Sequence, residues 1–442
     1  MAETLTTTFD EHALAALPEA AGFTAPLRKQ AFEEFSALPI PSQETEEWRY
    51  TDLSDFALDF TPYTPGGRAQ NLDDVPAEIL AAAGAVGERA GLLIQHDSDV
   101  MLSHLDPALA AKGVLFTDLD AAAAEHPDLI GNALHSLVPT DRSKFLAMHG
   151  AFRTGGTFLY VPRDTVVELP LQTLTWLDAD GIAVFPHTLI VVEAGAEVTF
   201  IERFASPDLT RAFSNAVTEI VVGEGARVDH FKLQRQAEGA FHVSTLAVEL
   251  GRDATFSDHN VCVGGALVRQ HVEARFAGPG GDVALFGLSI GDGTQHHDTH
   301  TVVDHAVPHC TSRELYKGVL GGRSRGVFHG KIVVREDAQK TNAHQSNRNL
   351  LLSRNALVNS TPALEIHADD VKCKHGSTTG QLDPLALFYL RSRGIGEQEA
   401  KGLLTYAFAS DLVSRITVQP VRVALEAFLH HRLPASPTEA AS

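Results

Sequence analysis

A short cassette recurs through the middle of the chain and restricts the fold more than any other feature. It has the form apolar–apolar–x–x–Gly–Ala–x–Val. It appears as V-V-E-A-G-A-E-V (191–198) and V-V-G-E-G-A-R-V (221–228). Looser copies are V-E-L-G-R-D-A-T-F (248–256), R-F-A-G-P-G-G-D-V (275–283) and V-V-R-E-D-A-Q-K (333–340). The first copies are roughly 30 residues apart, within the range of repeat architectures. Between them lie strand-like runs such as T-L-I-V-V, V-T-F-I-E-R-F and A-R-V-D-H-F-K-L, and little from Ala151 onward has helical period. Many short strands with turns between them leave a sandwich, a propeller or a solenoid. The recurring cassette favours a solenoid, and among solenoids a β-helix. Each coil of a β-helix lays its strands about 4.8 Å above those of the coil before it. The ends of such a stack are open sheet edges that need covering.

Helical segments flank the strands. Pro26 opens one, with Leu27, Ala31, Phe35 and Leu38 near helical spacing, and Pro39 and Pro41 stop it. Ala77 to Phe145 reads as an α/β mixture. After the strands come three helices. The first runs from Pro384 to Arg393-Gly394, a basic last turn followed by a glycine. The second spans Glu397 to Ile416 and the third Val421 to Leu433. One face of this tail can pack on the solenoid. The expected division is a helical or mixed N-terminal region (1–145), a mainly β core (146–380) and a C-terminal helical region (381–442).

The chemistry concentrates where core meets tail, between Asn359 and Asp383. Leu364 and Ile366 alternate with Glu365 and His367, the period of a strand with one wet face. Ala368-Asp369-Asp370 reads as a corner. Val371, Cys373 and His375 then interleave with Lys372 and Lys374. Residues two apart in an extended chain share a face, so Cys373 and His375 should point away from the lysines, into the molecule or toward a partner. A thiolate beside an imidazole suits zinc, copper or an iron–sulfur cluster. Two ligands do not complete such a site. The rest must come from elsewhere in the chain or from another subunit. The plain structural alternative is a buried cysteine beside a hydrogen-bonded histidine at the end of a sheet.

Composition excludes several classes. A 44% hydrophobic content permits a full core, and no segment approaches the roughly 18 apolar residues that span a bilayer. The start, M-A-E-T-L-T-T-T-F-D-E, has neither the basic nor the apolar part of a signal peptide. Cys262, Cys310 and Cys373 lie far apart, which suits a reducing, cytoplasmic setting rather than a disulfide framework. A formal net charge of -21 repels nucleic acid and anionic lipid. His296, His297, His300, His305 and His309-Cys310 cluster in sequence. Their alternatives are metal binding or polar residues stacked on a solenoid face. There is no H-E-x-x-H, C-x-x-C, P-loop or G-x-S-x-G pattern, and nothing assembles a complete catalytic set. Two classes remain: a scaffold with metal-capable residues near a subunit interface, and a stand-alone β-helix enzyme acting on a polysaccharide through carboxylates.

Collinear blocks narrow this further. They include E-W-R-Y-T-D-L (47–53), G-T-F-L-Y-V-P-R (156–163), V-E-L-P-L-Q (167–172), D-T-H-T-V-V-D-H-A-V-P-H-C-T-S-R-E-L-Y-K-G-V (298–319) and K-T-N-A-H-Q-S-N-R-N-L-L-L (340–352). P-A-L-E-I-H-A-D-D-V-K-C-K-H-G-S-T-T-G (362–380) and F-Y-L-R-S-R-G-I (388–395) complete the series. In these blocks the chain resembles the SufB/SufD family of iron–sulfur cluster assembly proteins, and within it the SufD branch. The resemblance implies a right-handed parallel β-helix between helical N- and C-terminal parts. It implies a non-catalytic accessory scaffold in the cytoplasm that pairs with SufB through the β-helix and binds the ATPase SufC through the C-terminal helices. A homodimer is the alternative when the chain is alone. It implies no nucleotide site on this chain, while the acidic charge and the lack of an apolar span argue against a nucleic-acid or membrane partner. His375 matches the family histidine proposed to bind iron or a transient cluster shared with SufB, and Cys373 matches the neighbouring family cysteine.

Overall fold

The computed structural model describes residues 7–20, 22–84, 89–416 and 418–432. Its centre is a parallel β-solenoid built from two ten-stranded sheets. From the N-terminal end of the stack, the first sheet is ordered Asp99–Leu105, Gly91–His96, Leu171–Trp176, Glu197–Ala205, Arg227–Arg235, Thr255–Cys262, Asp282–Gly291, Thr311–Leu320, Asn342–Leu351 and Lys372–Gly380. The second begins at Leu115–Asp118 and Thr157–Val161. It continues through His187–Val192, Ala212–Val222, Ala240–Leu250, Leu267–Phe276, His296–His305 and Arg325–Val334 to Leu357–Ile366, with the short strand Ala183–Val184 beside Ala212–Val222. The stack therefore starts within the first 145 residues.

The cassette marks one corner of successive coils, although in the 333–340 copy the left-handed residue is Lys340 and not Asp337. Gly195 and Gly225 take φ of 71° and 63° there, a left-handed turn that costs glycine little. In later coils Asp253, Gly280, His309 and Lys340 make the same turn, with φ between 54° and 85°. The next residue is small and faces inward: Ala196, Ala226, Ala254, Gly281, Cys310 and Thr341 occupy one vertical row. Cys310 is thus a small core residue.

Strand alternation then divides each residue between core and surface. In the first sheet, Val198, Val228, Phe256, Val283, Ser312, Ala343 and Cys373 stack in one inward column. Fully buried side chains such as Phe200, Phe256 and Phe276 fill the space between the sheets, each stabilising the fold by about 2–3 kcal/mol. Outward positions stay apolar only where another layer covers them. Ile201, Phe231, Val261, Leu288 and Leu315 project from the first sheet onto Leu412, Val413, Ile416, Leu425 and Leu429 of the tail. Those tail residues belong to helices Glu397–Val413 and Gln419–Arg432 and the turn between them; Leu433 lies outside the described residues. On the second sheet, helix Lys144–Phe152 is buried on every residue after Lys144, beneath the aromatic cluster of Phe9, Phe35, Trp48, Phe56 and Phe60.

The two ends of the stack differ. At the N-terminal end, Asp99–Leu105 and Leu115–Asp118 add antiparallel to the sheets, and the segment at Ala69 bonds to Met101. At the C-terminal end, Leu357–Ile366 and Lys372–Gly380 each have one strand neighbour among the described residues. Leu357 and Ile366 are exposed there, as is Leu352 in the turn before them. Pro362 sits within the final strand of the second sheet, a position that suits a residue lacking an N–H because one flank is unpaired. No helix among the described residues is long and apolar enough to cross a membrane.

Candidate functional site

The open coil carries both residues singled out in the sequence. Parallel register places Cys373 over Ala343 and His375 over Gln345, while Lys372 and Lys374 lie over Asn342 and His344 in the outward columns. Cys373 and His375 therefore share the inward face, separated by one strand repeat of about 7 Å. Cys373 is half-buried, against Ala343 and Ala368. His375 is exposed because no coil lies above it. Burial pushes the Cys373 thiol up. It would need a metal or a neighbouring cation to become the thiolate that binds soft ions. The other thiols are further removed from such chemistry. Burial lifts Cys262 to about 12 and also raises Cys310, and both are buried within the stack.

His375 ends a column that begins deep in the solenoid. Phe200, His230, Asp258, Leu285, Glu314, Gln345 and His375 occupy the same position in successive coils. Its polar members find partners inside. His230 bonds to Asp258 at 2.7 Å and Glu202 at 3.1 Å. Thr301 donates to Glu314 at 2.6 Å, and Gln345 Nε2 donates to the other Glu314 oxygen at 3.2 Å. Gln345 Oε1, one level below His375, is buried without a partner among the described residues. The last coil thus exposes the end of a polar interior column, with an imidazole at its tip and a thiol one inward column away. Single-residue reading missed this column. Its signal lies in the corners: Glu314 and Gln345 each follow a left-handed corner residue, His309 and Lys340, at the offset that separates Gly225 from His230, and strand register sets His375 over Gln345.

The 296–309 histidines do not converge. His296 and His300 face outward, where Thr51 bonds His296 at 3.0 Å and Asp298 holds His300 at 3.0 Å. His297 and His305 face inward, bonded to Ser289 at 2.7 Å and Ser312 at 2.8 Å. His309 makes the corner turn. Alternation along one strand accounts for this spread.

Comparison with known proteins fits this geometry. Residues 175–408 match the model described as SUF system FeS cluster assembly, SufBD core domain, and residues 90–173 match the SufBD protein N-terminal region. The chain belongs to the SufBD family. Similar relatives include the iron-sulfur cluster assembly protein SufD of Escherichia coli, 36% identical over 93% of each chain. The SufD protein of Bacillus subtilis is 29% identical over 92% of this chain and 93% of its own. A SufBD family protein of Synechocystis sp. is 32% identical over 88% of this chain and 86% of its own. The SufBD core match runs through both terminal strands and into the tail helices, so the open coil lies within the family's shared core.

Glu314 gives the polar column a measurable signature. Burial pushes its carboxyl up to about 7, against hydrogen bonds from Thr301 and Gln345 that pull it down. The unfolded chain ionises this group near 4.5. Its contribution to stability is therefore complete below that pH, falls as pH rises toward about 7, and is constant above. The loss across that window is up to about 3 kcal/mol. Thermal unfolding of Glu314→Gln should show a flatter profile between pH 4.5 and 7 than the parent and a higher melting temperature at pH 7. Parallel profiles would place the ionisation elsewhere.

Proposed function

We propose that this SufBD-family protein is an accessory scaffold of the Suf iron–sulfur assembly machinery. In this reading it pairs with SufB through the open coil and supplies His375, with Cys373, to an iron or transient cluster site that SufB completes. The cluster is cargo of the assembly. The observation that carries the reading is the uncovered last coil with an exposed imidazole on its inward face. An inward-facing histidine at a buried level would be sealed; here the level above is missing. Among the described residues, the outer flank of both terminal strands has no strand partner and can pair with a second stack, and Leu357 and Ile366 supply apolar area beside it. The polysaccharide-enzyme reading has no observation in its favour once family membership is established.

The first test concerns the ligand. His375→Ala is expected to leave folding and co-purification with SufB unchanged, because the side chain is exposed. The same variant should lose most cluster assembly in cells that depend on this system. Full assembly activity in a well-folded His375→Ala protein would remove the residue from the site.

The tail helices supply a second surface. Helix Pro384–Ser392 buries none of its residues. Leu385, Phe388 and Tyr389 are 77%, 70% and 56% exposed. The following helix spends its apolar side on the solenoid, so the first one is left to dock SufC. Leu385→Asp combined with Phe388→Asp should abolish co-purification with SufC, with the melting temperature changed by little. SufC binding unaffected by the double substitution would move that interface off this helix.

A further inference from the structure

At the other end of the molecule, on the outer face of the second sheet, two histidines and a glutamate converge. His187 and Glu219 project outward from adjacent strands, two positions apart in register. His135 comes from the turn before helix Lys144–Phe152 and holds a left-handed φ of 59°. One ring nitrogen from each histidine and one carboxylate oxygen lie within 4.8 Å of one another. We propose that His135, His187 and Glu219 form a binding site for a first-row divalent transition-metal ion, separate from the open coil.

Donor and acceptor bookkeeping motivates a cation there. His149 Nδ1 lies 2.9 Å from the Asn215 carbonyl, which can only accept, so His149 donates from Nδ1. A neutral His149 then accepts at Nε2 from His187 Nδ1, 3.1 Å away. His187 Nε2 is left presenting a lone pair to Glu219 Oε2 at 3.0 Å. That carboxylate is already oriented by three backbone donors. His135 N reaches Oε2 at 2.7 Å, and Leu137 N and Val138 N reach Oε1 at 2.8 and 3.0 Å. Two lone pairs facing each other in a buried space require a proton or a metal between them. His135 Nδ1 adds an independent sign: it is buried with no hydrogen-bond partner among the described residues.

The arrangement has the chemistry of a metal site. Two imidazoles and one carboxylate suit zinc, cobalt or iron(II). Metal–ligand bonds of about 2.0–2.1 Å put neighbouring ligand atoms roughly 2.9–3.3 Å apart, from octahedral to tetrahedral, and the His187–Glu219 pair already has that spacing. Binding would have to draw His135 closer to the other two ligands than the 4.8 Å that bounds the cluster. The supporting contacts also fit. Ligating histidines usually donate their second nitrogen to an acceptor, and His187 does so to His149. Arg153, whose positive charge acts on His135 and His187, is committed to Asp120 at 2.8 Å and to the Gly155 carbonyl. A metal here would tie the 131–139 turn to the first coils of the solenoid.

The test uses the untagged full-length chain carrying Cys373→Ser and His375→Ala, so that the open coil cannot contribute. After chelator treatment, Co2+, Zn2+ and anaerobic Fe2+ are each titrated by calorimetry, with cobalt visible absorption reporting low coordination number. One equivalent should bind, with a rise in melting temperature. Adding His135→Asn keeps a residue tolerant of positive φ while removing the ligand. It should weaken binding at least about 100-fold, since loss of outer contacts alone reaches 10–100-fold, and abolish the thermal shift. A circular dichroism spectrum and metal-free melting temperature matching the parent would confirm that this variant folds. Should it misfold, Glu219→Gln carries the same expectation. No binding by the parent would mean that a proton fills the gap. Binding and thermal shift unchanged in both variants would place the metal elsewhere. Either result overturns the proposal.

Discussion

Every coil of this protein depends on the one beside it. Parallel stacking satisfies backbone N–H and C=O groups only through neighbouring levels, so a solenoid cannot satisfy its own last strands. At the N-terminal end, antiparallel strands and a loop close the stack. At the C-terminal end the chain leaves the stack after Gly380 and returns along the outer face of the first sheet, where its helices cover coils in the middle. Among the described residues the terminal strands are left open.

The same constraint explains the polarity of the outer surface. The column that holds Ile201, Phe231, His259, Phe286 and Leu315 becomes Ser346 and Gly376 in the last two coils. The apolar contact with the tail ends before those two positions. Inside, the trend is different: polar groups continue to the end of the stack. His230, Asp258 and Glu314 are held by charge-assisted or paired hydrogen bonds in the interior. His375 inherits that inward position without a coil above it. Exposure and inward orientation coincide only at a terminus, which is why His375 stands apart among the histidines of the described strands.

Much of this was legible in the chain, for identifiable reasons. Corner cassettes are short-range signals, because a left-handed residue followed by a small one is dictated by local backbone and core space. They disclosed the solenoid and its spacing. The interleaving of Lys372 and Lys374 with Cys373 and His375 fixed which pair shares a face. Helical period and terminal glycine marked the tail helix that stops before Gly394, which takes a φ of 89°. What could not be read was long-range. His135, His187 and Glu219 are separated by 52 and 32 positions in sequence and meet only because a turn folds back on the outer sheet. The strands that open each sheet at Gly91 and Leu115 were hidden in an alanine-rich segment with no clear period. The 296–309 histidines resembled a cluster because sequence proximity conceals the alternation of faces.

Hydrogen exchange at the open coil tests most directly whether these edges are built for another stack. In the isolated chain, amides of 357–366 and 372–380 should exchange much faster than those of Thr311–Leu320, which has strands on both sides. Addition of SufB should slow exchange in both terminal strands together and leave the middle coils unchanged. Terminal strands already protected in the isolated monomer, or still fast in a stable complex with SufB, would contradict a stack left open to receive a partner.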